Sequence, residues 1–213
     1  MGHVVDGTRV YLQDIRQMAK DVAANGTIPK QIILHWSAGW NNQCWDSYHI
    51  NVLTGGEVRV TCESLDEYKG DHTYHRNSGN MAIGIGCCVF ATTEDLGEQP
   101  PEDIQIECVA QIMAILSQEW GKPITIQNFI THAEAANNLD IDGWGRENNP
   151  PVFVSDAAAE AAGYPHDYYG VGSDDPAMRW DLLMLSNDYE WWSGGRQLRA
   201  KANYYAQPGV LQV

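Results

Sequence analysis

Apolar and polar positions along this chain switch between two periods, and each switch marks an element. Val10, Ile15, Met18 and Val22 recur near helical spacing, which predicts an amphipathic helix over 8–24, ended by Asn25-Gly26-Thr27-Ile28-Pro29. Gln31-Ile32-Ile33-Leu34-His35 reads as a short buried strand. Residues 48–62 alternate as two β-rich arms around Thr54-Gly55-Gly56, the pattern of a hairpin. Residues 81–91 are apolar on both faces, which predicts a central strand, and Gly84 and Gly86 within it suggest that something approaches the backbone closely. The clearest helix follows Pro101, Glu102 and Asp103: Ile104, Cys108, Ile112, Ile115 and Leu116 form its stripe, and Gly121 and Pro123 end it. Residues 124–132 read as a further strand, again closing on a histidine. Strands alternating with helices, plus one hairpin, predict an α/β single domain over 1–213, with a mixed central β-sheet flanked by helices.

From 137 to 178 the periodicity dissolves into Gly, Pro, Asn and Asp, so this stretch is expected to be a long loop insertion with a helical turn or two at 156–162. Ordered apolar sequence resumes at Met178-Arg179-Trp180-Asp181-Leu182. The tail, about 187–206, is expected to form a last helix carrying aromatics onto the body.

Composition narrows the function classes. The 213 residues, 44% hydrophobic, suffice for a folded core. A net charge of −15 disfavours nucleic acid and anionic membrane surfaces, because phosphate binding needs clustered Lys and Arg. No apolar run approaches the ~20 residues of a membrane span. The first residues lack a charged and then an apolar region, so no classical signal peptide is expected. Cys44, Cys62, Cys87, Cys88 and Cys108 contain no CxxC pair and are odd in number, which reads as reduced thiols, with a Cys44–Cys62 bridge left open.

The candidate chemistry starts from the two strands that end in histidine, His35 and His132. If they are sheet neighbours, both imidazoles emerge together, and two histidines with one carboxylate or thiolate commonly hold zinc. Glu134, Asp140, Asp142, His166, Asp181 and the cysteines are all available as a third ligand. Asp181 stands out where ordered sequence resumes, although an aspartate there also suits a helix cap. His3, His49, His72 and His166 are expected to play no part, and His49 to point away from Tyr48. Trp36, beside a candidate ligand, and Trp144, in the expected insertion, are the two tryptophans that could stack on a substrate.

The segments "IILHWSAG", "SYHINVLTGGEV", "TYHRNSGNMAIGI", "FITHAEAA" and "RWDL" occur in this order. Together they resemble the zinc-dependent N-acetylmuramoyl-L-alanine amidases, the family shared by phage lysozyme-type amidases and animal peptidoglycan recognition proteins. The resemblance spans residues 30–135 and 178–186. It implies one Zn2+ held by His35, His132 and Asp181, with Tyr48 as the active-site tyrosine and Arg179 where the family usually has lysine. It places His75 along the substrate groove. Asn80, in the same loop, is expected on the substrate side, and Glu134 is expected to support the adjacent ligand. The implied reaction is hydrolysis of the amide between N-acetylmuramic acid and L-alanine in peptidoglycan or muropeptides, as a phage endolysin made in the cytoplasm and acting on the cell wall. A binding module of the same fold without turnover, or a regulator that uses the acidic insertion, are the alternatives.

Three departures stand out. Gly86 occupies the position where the muropeptide-recycling branch carries a glutamate, which favours the tyrosine branch. Arginine at 179 keeps the charge of lysine but not its geometry. The stretch between His132 and Asp181 is far longer than in compact relatives.

Overall fold

The computed structural model describes residues 2–70, 72–73, 76–91, 95–136, 181–182, 184–187 and 193–211. The expected insertion at 137–178, His75 and Arg179 lie outside these. In chain order the elements are β1 (Val4–Val5), β2 (Thr8–Val10), α1 (Leu12–Asn25), β3 (Ile32–Trp36), β4 (Cys44–Trp45) and β5 (Ile50–Val52). After a 3-10 turn at Thr54–Gly56 come β6 (Val58–Val60), β7 (Met81–Ile85), α2 (Asp103–Trp120), β8 (Phe129–Thr131), α3 (His132–Ala136) and α4 (Gly194–Tyr205). β1 and β4 form a small ribbon. The other six strands make one mixed sheet in the order β2-β6-β5-β7-β3-β8, flanked by helices.

The hairpin β5–β6 turns where the sequence indicates, and β7 sits inside the sheet with parallel partners on both sides, β5 and β3. Its two-sided apolar pattern follows from that position. α2 ends at Gly121, whose φ of 64° is the left-handed conformation that glycine adopts without a Cβ penalty. Two expectations are corrected. Thr8–Val10 is a strand paired antiparallel to β6, so the first helix begins only at Leu12. The last strand is cut to three residues, and His132 opens α3 rather than closing β8.

The faces of the sheet differ. Ile32, Leu34 and Trp36 of β3, with Met81, Ile83 and Ile85 of β7 and Phe129 of β8, join the main core with Ile15, Val22, Ile112, Leu116 and Leu198 from the helices. The alternate residues of β3, Ile33 and His35, face the other side, where Ile33 packs with Ile126, Ile130 and Ala135. A fully buried aliphatic side chain is worth about 1.5–3 kcal/mol. A one-residue slip of β3 would take Leu34 out of the main core and drive His35 into the helix layer, so packing fixes the register that aims His35.

His49, just before β5, is fully buried: its Nε2–H donates to Glu67 O at 2.7 Å, and its Nδ1 accepts the Ala82 N–H at 3.0 Å. Burial is the main cause that drives its pKa down from 6.5 to about 4. The neutral ring thus favours the fold above pH 6.5, and that contribution is lost as pH falls from 6.5 toward 4, because the unfolded chain takes the proton first. Urea titrations at pH 7 and pH 4 are expected to show a loss that is smaller, by up to about 3 kcal/mol, in His49→Gln than in the wild type. Equal losses would show that His49 is not held neutral. All five cysteines are free, so Cys44 and Cys62 are not bridged. No helix among the described residues is long and apolar enough to cross a membrane.

Candidate metal centre

β3 and β8 run parallel with Leu34 beside Thr131, so the next residue of each chain segment, His35 and His132, meet on the face opposite the main core. Their rings lie 4.8 Å apart. Asp181, the first described residue after the long stretch, closes the group: its Oδ2 lies 3.1 Å from His35 Nδ1 and 3.2 Å from His132 Nδ1. Its other oxygen accepts the Trp36 N–H at 2.5 Å, and its backbone carbonyl accepts the Ala133 N–H at 3.0 Å. One candidate ligand atom from each of His35, His132 and Asp181 falls within 4.8 Å of the other two, so this buried cluster could hold a metal ion. Tetrahedral bonds of ~2.0 Å place ligand atoms ~3.3 Å apart, close to the two spacings to Asp181. Burial alone pushes the Asp181 carboxyl up, but hydrogen bonds from His132 and His35 outweigh it and bring the pKa below the usual carboxylate value. It is ionised, as a ligand must be.

Tyr48 lines the cluster. Its ring stacks on His35 at 5.1 Å, and its hydroxyl donates to Trp36 O at 3.3 Å. Gly84, the sheet partner of His35, makes this possible: a Cβ there would lie 2.2 Å from the Tyr48 ring. The backbone approach read at Gly84 is therefore the tyrosine ring, and at Gly86 it is the carbonyl of Asn41, 2.8 Å from where a Cβ would stand. Burial first, then the charge of Asp181, raises the Tyr48 pKa well above 10, so the phenol keeps its proton and acts as a donor.

His72, expected to play no part, is in the site. It is 4% exposed, and its Nδ1 lies 3.3 Å from His35 Nε2 with the rings nearly perpendicular. Burial, followed by repulsion from His35, His49 and His132, pushes its pKa down to about 2, so it is neutral. Nothing local in the sequence marks it: the ring is carried in by the loop between β6 and β7.

The remaining expectations divide. Glu134 is 6% exposed, and its Oε2 accepts the Thr131 N–H at 2.9 Å, next to His132. Arg199 of α4 grips both its oxygens at 2.8 Å, so the pair sits directly behind the turn that carries His132. The Trp36 ring, by contrast, is 5% exposed within the main core, which removes it as a glycan platform; its backbone serves the site instead. Asn80 precedes β7 at the end of the sheet away from His35, four residues or roughly 13 Å along the strand from Gly84. There it accepts the Gln31 N–H at 3.0 Å and donates to Arg76 O at 2.8 Å, tying two strand starts together rather than facing a substrate.

Among the described residues, four that are not glycine carry positive φ: Ala38 (50°), Cys88 (66°), Phe90 (57°) and Leu182 (60°). All lie in segments that follow β3, follow β7 or follow Asp181, and such strain clusters where function over-determines the backbone. Comparisons with models of known protein families, with curated proteins and with solved structures find no match.

Proposed function

We propose that His35, His132 and Asp181 hold one zinc ion and that the chain hydrolyses the amide between N-acetylmuramic acid and L-alanine in peptidoglycan or muropeptides. The observation that carries this reading is the convergence of two histidine Nδ1 atoms on one Asp181 oxygen beside a protonated Tyr48. The motif order gives it a substrate. A donor set of two imidazoles and one carboxylate suits zinc, and three protein ligands leave a position open. Zinc bound there would supply Lewis acidity and a nucleophile from water at neutral pH.

The chain's own groups do the rest. Asp181, ionised and with its other oxygen fixed by the Trp36 N–H, presents one oxygen beside the two histidine Nδ1 atoms. The Tyr48 phenol would turn its one proton from Trp36 O to the amide oxygen, where negative charge develops. On the resemblance, Arg179 adds positive charge to the same oxygen and His75 lines the groove.

Zinc-loaded wild type is expected to carry one ion per chain and to release new L-alanine amino termini from purified sacculi. Asp181→Ala is expected to lose both by more than the ~10–100-fold typical of a residue that only supports a ligand. A zinc-loaded wild type that binds sacculi without releasing L-alanine termini would overturn the enzyme reading.

A further inference from the structure

The second nitrogen of His35 determines a partner. Its Nδ1 faces Asp181 Oδ2 at 3.1 Å, and its Nε2 faces His72 Nδ1 at 3.3 Å. A neutral imidazole carries one proton, and a nitrogen that gives its lone pair to a cation cannot carry it. With Nδ1 turned to the ion, the proton of His35 must sit on Nε2, and the atom it meets there must accept.

We propose that His72 is a positioning residue of the metal centre, accepting the Nε2–H of His35 and so holding that ring in the tautomer whose Nδ1 points to the ion. This rests on the metal reading above. The assignment fixes His72 as well: with Nδ1 accepting, its own proton lies on Nε2, which is buried with no hydrogen-bond partner among the described residues. The ring is held for this role. Immediately after it, the Thr73 N–H and hydroxyl donate to Asn77 Oδ1 at 2.9 and 2.8 Å, and Asn77 Nδ2 donates back to Thr73 O at 2.9 Å. Arg76 N–H adds a bond to the Thr73 hydroxyl at 3.1 Å. Thr73, Arg76 and Asn77 are thereby tied together next to His72, whose 4% exposure excludes rotation into solvent. Partners of this kind fix ring orientation and raise ligand basicity.

The test needs no turnover. In zinc-loaded wild type labelled with 15N-histidine, two-bond proton–nitrogen correlations are expected to show both His35 and His72 as Nε2–H tautomers. Finding His72 protonated at Nδ1 overturns the proposal, and this reading requires no variant to fold. In chelator competition, His72→Leu is expected to bind zinc about 10–100-fold more weakly than wild type and to shift the visible spectrum of the cobalt-substituted protein. His72→Asn, whose Oδ1 can stand in for the accepting Nδ1, is expected to recover most of that loss. Wild-type affinity in His72→Leu sinks the positioning role alone. A wild type that takes up no zinc sinks the metal reading, and this assignment falls with it.

Discussion

Replacing Arg199 with methionine is expected to lower the unfolding free energy by about 3–5 kcal/mol, measured by urea denaturation at neutral pH. Arg199 and Glu134 are 4% and 6% exposed, and each satisfies the other through two bonds of 2.8 Å. Removing the guanidinium leaves a buried carboxylate whose charge nothing balances, which costs far more than the loss of a surface pair. The double variant Glu134→Leu with Arg199→Met is expected to be more stable than Arg199→Met alone, since it removes the orphaned charge. A loss below about 1 kcal/mol in the single variant would place the pair in the solvent-screened class instead.

The pair matters beyond stability because of where it sits. Glu134 also accepts the Thr131 N–H, and Arg199 donates to Phe129 O at 3.0 Å, so the two clamp the corner where β8 becomes α3 and His132 emerges. Gly195 completes the fit, for a Cβ there would stand 2.4 Å from Glu134 Oε1. The helix α4 is thus bolted onto the back of a candidate ligand.

That clamp also shows what the sequence does and does not disclose. The elements that deliver His35 were legible, since Ile32 to Trp36 carry a buried strand pattern and Gly84 marks a close approach. The hairpin, the central β7 and the limits of α2 were legible for the same reason: each has a local period or a local stop. Strands β1, β2 and β4 have two or three residues and exist only through pairing, so no period announces them. Adjacency to a candidate ligand says nothing about which face a strand residue takes, and alternation sends Trp36 to the core. Asn80 was placed by its loop, whereas strand direction puts it at the far end of the sheet. His72 and the Glu134–Arg199 pair were invisible for a common reason. Their partners stand 37 and 65 residues away, and only the closed fold brings them together.

Gly84→Ala is the sharpest probe of the site itself. The added methyl would stand 2.2, 2.6 and 2.8 Å from three atoms of the Tyr48 ring, distances no carbon contact sustains, so the ring must leave its place beside His35. Overpacking of this kind typically costs about 1–3 kcal/mol. If Tyr48 donates to the developing charge, release of L-alanine termini is expected to fall about 10²–10⁴-fold, the usual worth of a positioned proton donor. Zinc uptake is expected to persist, because the nearest atoms the methyl meets all belong to Tyr48. Adding Tyr48→Ala to Gly84→Ala removes the clash, so the pair is expected to regain stability over Gly84→Ala while staying inactive, a non-additivity diagnostic of direct contact. A Gly84→Ala protein with wild-type turnover would show that the reaction does not need the Tyr48 hydroxyl where the fold now holds it. One methyl group therefore separates the gathering of His35, His132 and Asp181 from the role proposed for Tyr48.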